Sequence, residues 1–525
     1  MQVLSALDAT FIYLESEHSP MAIGAVYIID AKNAPAGFSY KSWHKLVGDR
    51  LRGSKVFRER LVEVPWAMSF PYWVRDPDFN LKSHLPRKTL AKPGGMDELM
   101  QLAAKNWSEV LDRSRPLWEM VFVEGLDTIE GVSKGSFALI TKVHHAAVDG
   151  KAGGEMMSCL MDLSPEIRQL KGKDNWQAEE TPSSWGVITE AWSGAARKAL
   201  SLPGFVGKTV LGAARVYTDK GLRQLNPPPR ILSAPKTIFN QQLSSAKTFW
   251  GRNFDFRRIK AIRKAVPGTT INDVVLAVCA GGLRHYLLEK NQLPEKQLVA
   301  MAPISVRKDT PGDDSGNQVS AMLVGLETHI SNPLKRLLNI HANTRRSKVH
   351  ASAMPASELT DFVPSETLAA AARVYTRTRL GGRHRPFFNV TITNVPGPPV
   401  PFYLAGAKID TVYGMAPILD GLGLLLVVLS YQDKISIGIS SCEQIIPDPK
   451  FLADCLGQSL DELETAALQL DMQVEDINSD INLQAKEPEK LLDSNPLAAA
   501  RLALDQALDA INRLQSKAPE NTDES

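Results

Sequence analysis

Residues 171–245 divide the chain. On either side the apolar residues fall into strand-like runs and helical spacings. The stretch between opens polar over Lys171–Pro182, stiffens at Pro227-Pro228-Pro229 and keeps neither period. A polar, proline-broken segment of that length does not fill a packed core, so it predicts two α/β units joined by a crossover. At roughly 100–200 residues per domain the 525 residues allow two to four units, and the single break favours two. The expected boundaries are 1–170, a linker 171–245, a second unit 246–472 and a tail 473–525.

In the first unit, Ala25–Ile29, Leu117–Val123 and Phe137–Val143 read as strands, while Ser39–Leu51 and Asp97–Leu111 carry helical spacing. Met156, Met157, Leu160 and Leu163 predict a further helix. Aromatics between Val64 and Leu85 read as core under a loop. In the second unit, Thr270 caps a helix over Ile271–Leu288. Leu298–Ile304, Val319–Leu326, Phe387–Thr393, Leu422–Ser430 and Ile435–Ser440 are its expected strands, and a helix over Asp448–Leu470 closes it. Leu497–Leu514 predicts a tail helix, and Lys517–Ser525 has the composition of a disordered end.

Composition narrows the function. Sixty Lys and Arg against 58 Asp and Glu give a formal charge of +2, without the basic excess of a dedicated nucleic-acid binder. Cys159, Cys279, Cys442 and Cys455 are too scattered for a disulfide framework or a paired-cysteine metal site, so a reducing compartment is expected. The first lysine is Lys32, so no secretory signal is readable. The longest clean apolar run, Leu422–Leu429, falls far short of the roughly 20 residues of a membrane span. Membrane contact is therefore expected to be peripheral. Trp185–Tyr217, with Arg197, Lys198, Lys208 and Arg215 among Trp192, Phe205 and Val210, suits a membrane surface or packing on the protein itself.

Two chemical-looking motifs fail on context. Gly131-Val132-Ser133-Lys134-Gly135 spells a nucleophile elbow but precedes its strand instead of following one. Gly204–Thr209 ends like a phosphate loop, but its first glycine sits too close and no strand leads in. What remains is His144-His145-x-x-x-Asp149-Gly150 between the Phe137–Val143 strand and the following helix. Composition alone would produce that pattern in roughly one such chain in a thousand. Adjacent residues of an extended segment point to opposite sides, so the two histidines are expected to have different tasks, one reactive and one structural. A metal site lacks further ligands at metal spacing, and covalent catalysis lacks a Ser or Cys motif. General-base catalysis needs one near-neutral histidine aimed at a hydroxyl or amine, and with an activated acyl donor nothing more.

The His144–Gly150 motif resembles the HHxxxDG signature of the coenzyme A-dependent acyltransferase superfamily. Further matches resemble one branch, the bacterial wax ester synthase/acyl-CoA:diacylglycerol acyltransferase family. They are Leu7-Asp8, Ser19-Pro20-Met21, Pro116-Leu117-Trp118, Asn272–Ala277, Pro303–Arg307, Gly316–Ser320 and Thr393–Pro398. Their order holds to about Leu470.

The resemblance implies an α/β fold of two lobes, chloramphenicol acetyltransferase-like, with mixed sheets, flanking helices and a tunnel between lobes. It implies transfer of a long acyl chain from acyl-CoA to a fatty alcohol, diacylglycerol, or both, without a covalent acyl-enzyme. His145 would be the base, His144 its support, and Asp149 structural, with Arg307 as its candidate partner. Gly150 would permit the turn, and Asn272 would face an oxyanion or order the base. Trp118, Asn394 and Gly397 would shape the substrate pocket. No metal or resident cofactor is expected, and acyl-CoA is a co-substrate. Arg373, Arg377, Arg379, Arg383, His384 and Arg385 form the densest basic cluster, suited to coenzyme phosphates or anionic lipid. The expected location is cytoplasmic, at a membrane or lipid-inclusion surface, with no nucleic-acid partner; the oligomeric state is left open. The alternatives are an amide-forming condensation-type enzyme and a non-catalytic lipid-binding protein of the same fold.

Overall fold

The computed structural model describes residues 2–34, 38–64, 69–148, 156–169, 174, 176–179, 234–305, 319–351 and 365–484. Most of the expected crossover, its amphipathic stretch and the tail helix lie outside them.

The first sheet contains β2 (Ala22–Asp30), β5 (Arg87–Thr89), β6 (Trp118–Glu124), β7 (Phe137–His144), β12 (Tyr403–Leu404) and β13 (Ala407–Met415), in the order β12-β13-β2-β7-β6-β5. All eight residues of β7 are buried, as a central strand covered on both faces requires. Lys142 follows that rule at a cost. Its ammonium is buried, which lowers its pKa, and it donates to the carbonyls of Asn106 (2.7 Å) and Glu109 (3.1 Å). Those are the orphan acceptors at the end of helix α3 (Met96–Ser108), so one buried cation closes a helix terminus. A small satellite sheet, β1 (Gln2–Val3), β4 (Tyr72–Arg75) and β3 (Glu59–Val62), lies beside this lobe. Helices α1 (Ala6–Leu14) and α2 (Tyr40–Arg50) begin at side-chain caps from Ser5 and Ser39.

The second sheet runs β10-β9-β11-β14-β15-β8. Its strands are β8 (Lys247–Asp255), β9 (Val299–Ser305), β10 (Val319–Gly325), β11 (Val390–Pro396), β14 (Leu425–Tyr431) and β15 (Lys434–Cys442). Its helices are α4 (Phe256–Ala265), α5 (Ile271–Glu289), α6 (Pro333–Ala351), α7 (Ser365–Arg377) and α8 (Pro449–Gln484). α5 is long and apolar enough to cross a membrane by length and composition, but 72% of its apolar window is buried inside the protein. It starts at a capping box in which Asp273 accepts from the Thr270 backbone, and the same carboxylate accepts from Thr344 (2.6 Å) and His341 (2.8 Å) of α6.

The expected domain boundaries do not survive as sheet boundaries. β12 and β13 come from the second half of the sequence but pair with β2 of the first sheet, with a bulge between Ile409 and Thr411. One hydrophobic core joins Val26, Leu99 and Ile140 of the first half to Val274, Leu426 and Ile437 of the second. The sheets approach closely where β13 passes β15. A Cβ on Gly438 would lie 2.0 Å from the Gly414 carbonyl oxygen, so glycine is required there. The end of the expected linker is also core: Phe239 is fully buried, and Asn240 donates to the carbonyls of Phe388 and Gly421. Helix α8 extends past 472 to Gln484, and helix after the histidine loop covers 156–160 instead of reaching Leu163.

Candidate active site

β7 ends at His144, which sits opposite Ala22 of β2, and the chain then tightens into one short 3-10 turn, His145–Ala147. The turn is built by the histidine itself: His144 Nδ1 accepts from the Ala146 N–H at 3.0 Å. The backbone N–H groups of both histidines are fixed, that of His144 to Leu117 O (2.9 Å) and that of His145 to Met21 O (2.7 Å).

His144 is fully buried, with Nε2 3.4 Å from Glu15 Oε1. Glu15 is at the end of α1 with its side chain enclosed. Oε1 also accepts from Met21 N (3.0 Å), and Oε2 accepts from Arg113 Nη2 (2.9 Å) and Nε (3.2 Å). Burial pushes the Glu15 carboxyl up, but His144, the Met21 N–H and Arg113 outweigh it and hold it below its ordinary value. Because Met21 donates to Glu15 and accepts from His145, one residue links the carboxylate to the second histidine.

His145 points the other way. Its ring stacks on Phe11 of α1, centroids 3.9 Å apart and planes 18° from parallel. Burial in this apolar setting disfavours the imidazolium and lowers its pKa to about 4. The ring is therefore neutral at physiological pH and free to take a proton, but as a weaker base than the near-neutral histidine the sequence predicts, because its setting is drier. Nδ1 is enclosed and makes no hydrogen bond to another described residue, which leaves Nε2 as the nitrogen a substrate can reach.

His145 lines a cavity of about 420 Å³ between the two sheets. Ile23, Ala25 and Tyr27 of β2 and Val412 of β13 form one wall; Thr393 and Val395 of β11 with Val427 and Leu429 of β14 form the other. Met157 and Met161 close a third side. Apolar walls with one neutral imidazole and few polar atoms suit an alkyl chain carrying one reactive group. The exception among the polar atoms is Thr393 Oγ1, which is enclosed and has no protein hydrogen-bond partner among the described residues.

The expected site residues separate. His144 and His145 stand as described, and Gly397 lines the cavity, donating from its N–H to Ser430 Oγ at 3.1 Å. A Cβ at 397 would fall 2.0 Å from the Ser430 carbonyl oxygen, so the wall requires glycine. Asp149, Gly150 and Arg307 lie outside the described residues. Asn272 and Asn394 bond to each other, Nδ2 of Asn394 to Oδ1 of Asn272 at 3.0 Å, and neither lines the cavity. The strand period explains this: Thr393 and Val395 face the cavity, so Asn394 between them faces away. The pair ties the start of α5 to β11 through the Asn272 Oδ1. Trp118 is a core residue, stacked on His84 (4.5 Å) and donating to Phe57 O (3.0 Å). Among the described residues no group of three or more His, Cys, Asp or Glu could hold a metal.

The basic cluster also splits. Arg373, Arg377 and Arg379 line a cleft behind α1, whereas Arg383, His384 and Arg385 do not. Glu15 and Phe11 went unnamed in the sequence, and Thr393 entered only as the end of a strand and the start of a motif, with no role. Strand alternation from Val395 points to Thr393, but nothing local marks Glu15 or Phe11.

Comparison with known proteins places the chain and its fold. Residues 4–275 match the wax ester synthase/diacylglycerol acyltransferase catalytic domain, and residues 315–464 the WS/DGAT C-terminal domain. A putative diacylglycerol O-acyltransferase of Mycobacterium tuberculosis is 33% identical over 471 residues, 88% of this chain and 90% of that protein. The O-acyltransferase WSD of Acinetobacter baylyi is 32% identical over 477 residues, 88% of this chain and 97% of that one. Among solved structures, the wax ester synthase/diacylglycerol acyltransferase of Marinobacter aquaeolei VT8 superposes with a TM-score of 0.61 at 28% identity, covering 89% of this chain and all of that one. The first condensation domain of the CDA synthetase shares the fold at TM-score 0.50 and 12% identity, over 89% and 95% of the two chains.

Proposed function

The chain belongs to the wax ester synthase/diacylglycerol acyltransferase family, a family of O-acyltransferases that use acyl-CoA, and from that premise we propose how its residues carry the transfer. The observation that carries the reading is a neutral, cavity-facing His145 within an apolar space between the lobes. Nε2 of His145 takes the proton of the acceptor hydroxyl as the oxygen attacks the thioester carbonyl carbon. The carbon–sulfur bond then breaks, and the imidazolium returns that proton to the coenzyme A thiolate. No protein nucleophile and no redox step is needed.

Charge develops on the thioester oxygen during attack. We assign the donor to Thr393, which lines the same cavity and whose Oγ1 has no protein partner among the described residues; that hydroxyl is enclosed, so donation requires it to turn into the cavity. The acceptor is a fatty alcohol or diacylglycerol; at roughly 0.8 kcal/mol per buried methylene, the apolar walls favour long chains. Because such acceptors reside in lipid, the protein works at a cytoplasmic membrane or lipid-inclusion surface. Exposed Leu163 and Val400, beside cavity-lining Met161, Pro398 and Phe402 in sequence, give that surface an apolar contact.

His145→Ala is the direct test, with palmitoyl-CoA and hexadecanol as substrates and free thiol as the readout. Loss of the base is expected to lower turnover by roughly 10²–10⁴ while circular dichroism stays that of the parent. A folded variant that kept most of its turnover would overturn the mechanism.

A further inference from the structure

On the far side of α1 from the apolar cavity lies a second space, about 500 Å³ and lined largely by charged residues. Its walls come from both lobes: α1 with the loop to His18 and Arg113 on one side, α7 with Arg379 and Asp420 on the other. Four arginines reach it, and two are committed. Arg113 is held by Glu15 and by Glu63 (2.7 Å), and Arg379 makes a two-pronged pair with Asp420 (2.9 and 2.8 Å).

Arg373 and Arg377 differ. They are four residues apart on α7, hence on one face of it, and both line the cleft. Neither has a carboxylate partner among the described residues, and the one carboxylate of the cleft left outside these pairs is exposed Glu17. The helix macrodipole accounts for a cation in the last turn, which covers Arg377 but not Arg373 a turn earlier. The Arg373 guanidinium lies 5.9 Å from the centroid of the Tyr13 ring, so it is oriented across the cleft mouth towards α1.

Helix α1 relates this cleft to the base. Phe11 stacks on His145 and Tyr13 meets Arg373, and residues two apart on a helix lie on nearly opposite sides. His145 and Arg373 lie beyond these two rings, so their separation is about one helix diameter, roughly 10–12 Å, plus the two contacts of 3.9 and 5.9 Å, or roughly 20 Å in all. An apolar cavity on one side of the base and a cleft with two uncommitted guanidiniums on the other match the two ends of an acyl thioester of a phosphorylated carrier.

We propose that Arg373 and Arg377 bind the phosphate groups of the acyl donor's coenzyme, its pantetheine arm passing the end of α1 to present the thioester to His145. The planar guanidinium suits phosphate, which it can meet through paired N–H donors. This assignment rests on the acyltransferase reading above and adds to it the residues that recognise the donor.

The test is the double variant Arg373→Gln/Arg377→Gln of the full chain, assayed with palmitoyl-CoA and with palmitoyl-pantetheine, which lacks the nucleotide and its phosphates. The KM for palmitoyl-CoA is expected to rise at least about tenfold, the loss of one charge-assisted hydrogen bond or more. With palmitoyl-pantetheine, variant and parent are expected to be alike, and the KM for hexadecanol to stay within about twofold. An unchanged KM for palmitoyl-CoA, or an equal rise with both donors, overturns the assignment. Flotation with phosphatidylglycerol vesicles separates the other source of phosphate: vesicle binding lost with donor KM intact would assign the arginines to lipid headgroups and overturn it too. If the parent made no ester, the acyltransferase reading would fail on its own. Calorimetry with free coenzyme A would still decide the site, because parent binding that the variant has lost supports it and equal binding refutes it.

Discussion

Replacing Thr393 with valine separates a hydroxyl kept for catalysis from one kept for the fold. Valine fills nearly the same volume on β11, so the cavity wall keeps its shape; what goes is Oγ1, enclosed and without a protein partner among the described residues. A buried polar atom without a partner destabilises the fold by about 1–3 kcal/mol through lost hydration. Removing it is expected to leave stability unchanged or raise it, by about 2–4 °C in the melting midpoint for each kcal/mol gained. Activity should move the opposite way. Loss of one oxyanion donor costs roughly 10²–10³ in turnover, or about 2.7–4 kcal/mol of transition-state stabilisation. The assay is thiol release from palmitoyl-CoA at saturating hexadecanol, paired with a thermal melt of the same preparation. Opposite signs support the role. Unchanged turnover would remove Thr393 from the chemistry. A fall in both quantities would mean that the hydroxyl has a structural partner and that the lost activity reports distortion.

Two further outcomes follow from the histidine pair. Because burial holds His145 at about pH 4, the acid limb of kcat/KM is expected near pH 4 and not near the ordinary histidine value of about 6.5; a limb at 6.5 would mean that the ring is solvated. The same depression makes stability fall as pH drops through that window, since the unfolded chain takes up the proton first and the folded chain resists it. Glu15→Gln keeps the shape but loses the negative charge between Arg113 and His144. It is expected to cost about 1–3 kcal/mol in denaturant unfolding and to lower turnover more than it raises either KM. Glu15 is held below its ordinary pKa, so its contribution is present above that ordinary value and lost as pH falls through the depressed one; the variant's stability should therefore vary less with acid pH. Equal turnover in Glu15→Gln and parent would show that His145 is positioned without it.

The elements legible in the sequence were those whose residues are dictated locally. β7 opens with the apolar run Phe137–Ile140, α5 is capped by Thr270 with Asp273 three residues on, and α8 repeats leucines at helical spacing. The elements missed depend on the partner. β8 (KTFWGRNFD) carries three charges and no run of apolar residues longer than two, and becomes a strand because β15 aligns with it over nine positions. β13 is half polar and is made by β2, a strand nearly 400 residues earlier, which is also why the boundary at 245 fails as a division between sheets. Loop-closure entropy rises only slowly with the length enclosed, so a distant segment returning to the first sheet carries a modest extra cost, and no local pattern records it.

The same distinction governs the site. A motif identifies residues that must be neighbours in sequence for their chemistry, and His144-His145 is such a pair because the turn needs one imidazole inside, accepting from Ala146, and the next outside, facing the cavity. It says nothing about what holds them. Glu15, which meets His144, comes from the end of α1, Arg113, which holds Glu15, from the approach to β6, and Thr393, which shares the cavity with His145, from the opposite sheet; only the fold brings them together. Nor does the motif's spelling say which of its residues face the cavity. Asn394 stands inside a run that resembles a family motif, but the pleat turns it to Asn272 and gives the cavity to its neighbour. The pairing of a neutral base on one lobe with a lone hydroxyl on the other also bears on why the lobes share one core. The transfer proposed above requires both groups to stay aligned on one substrate, and a strand exchanged between sheets holds the two walls together where a flexible linker would not.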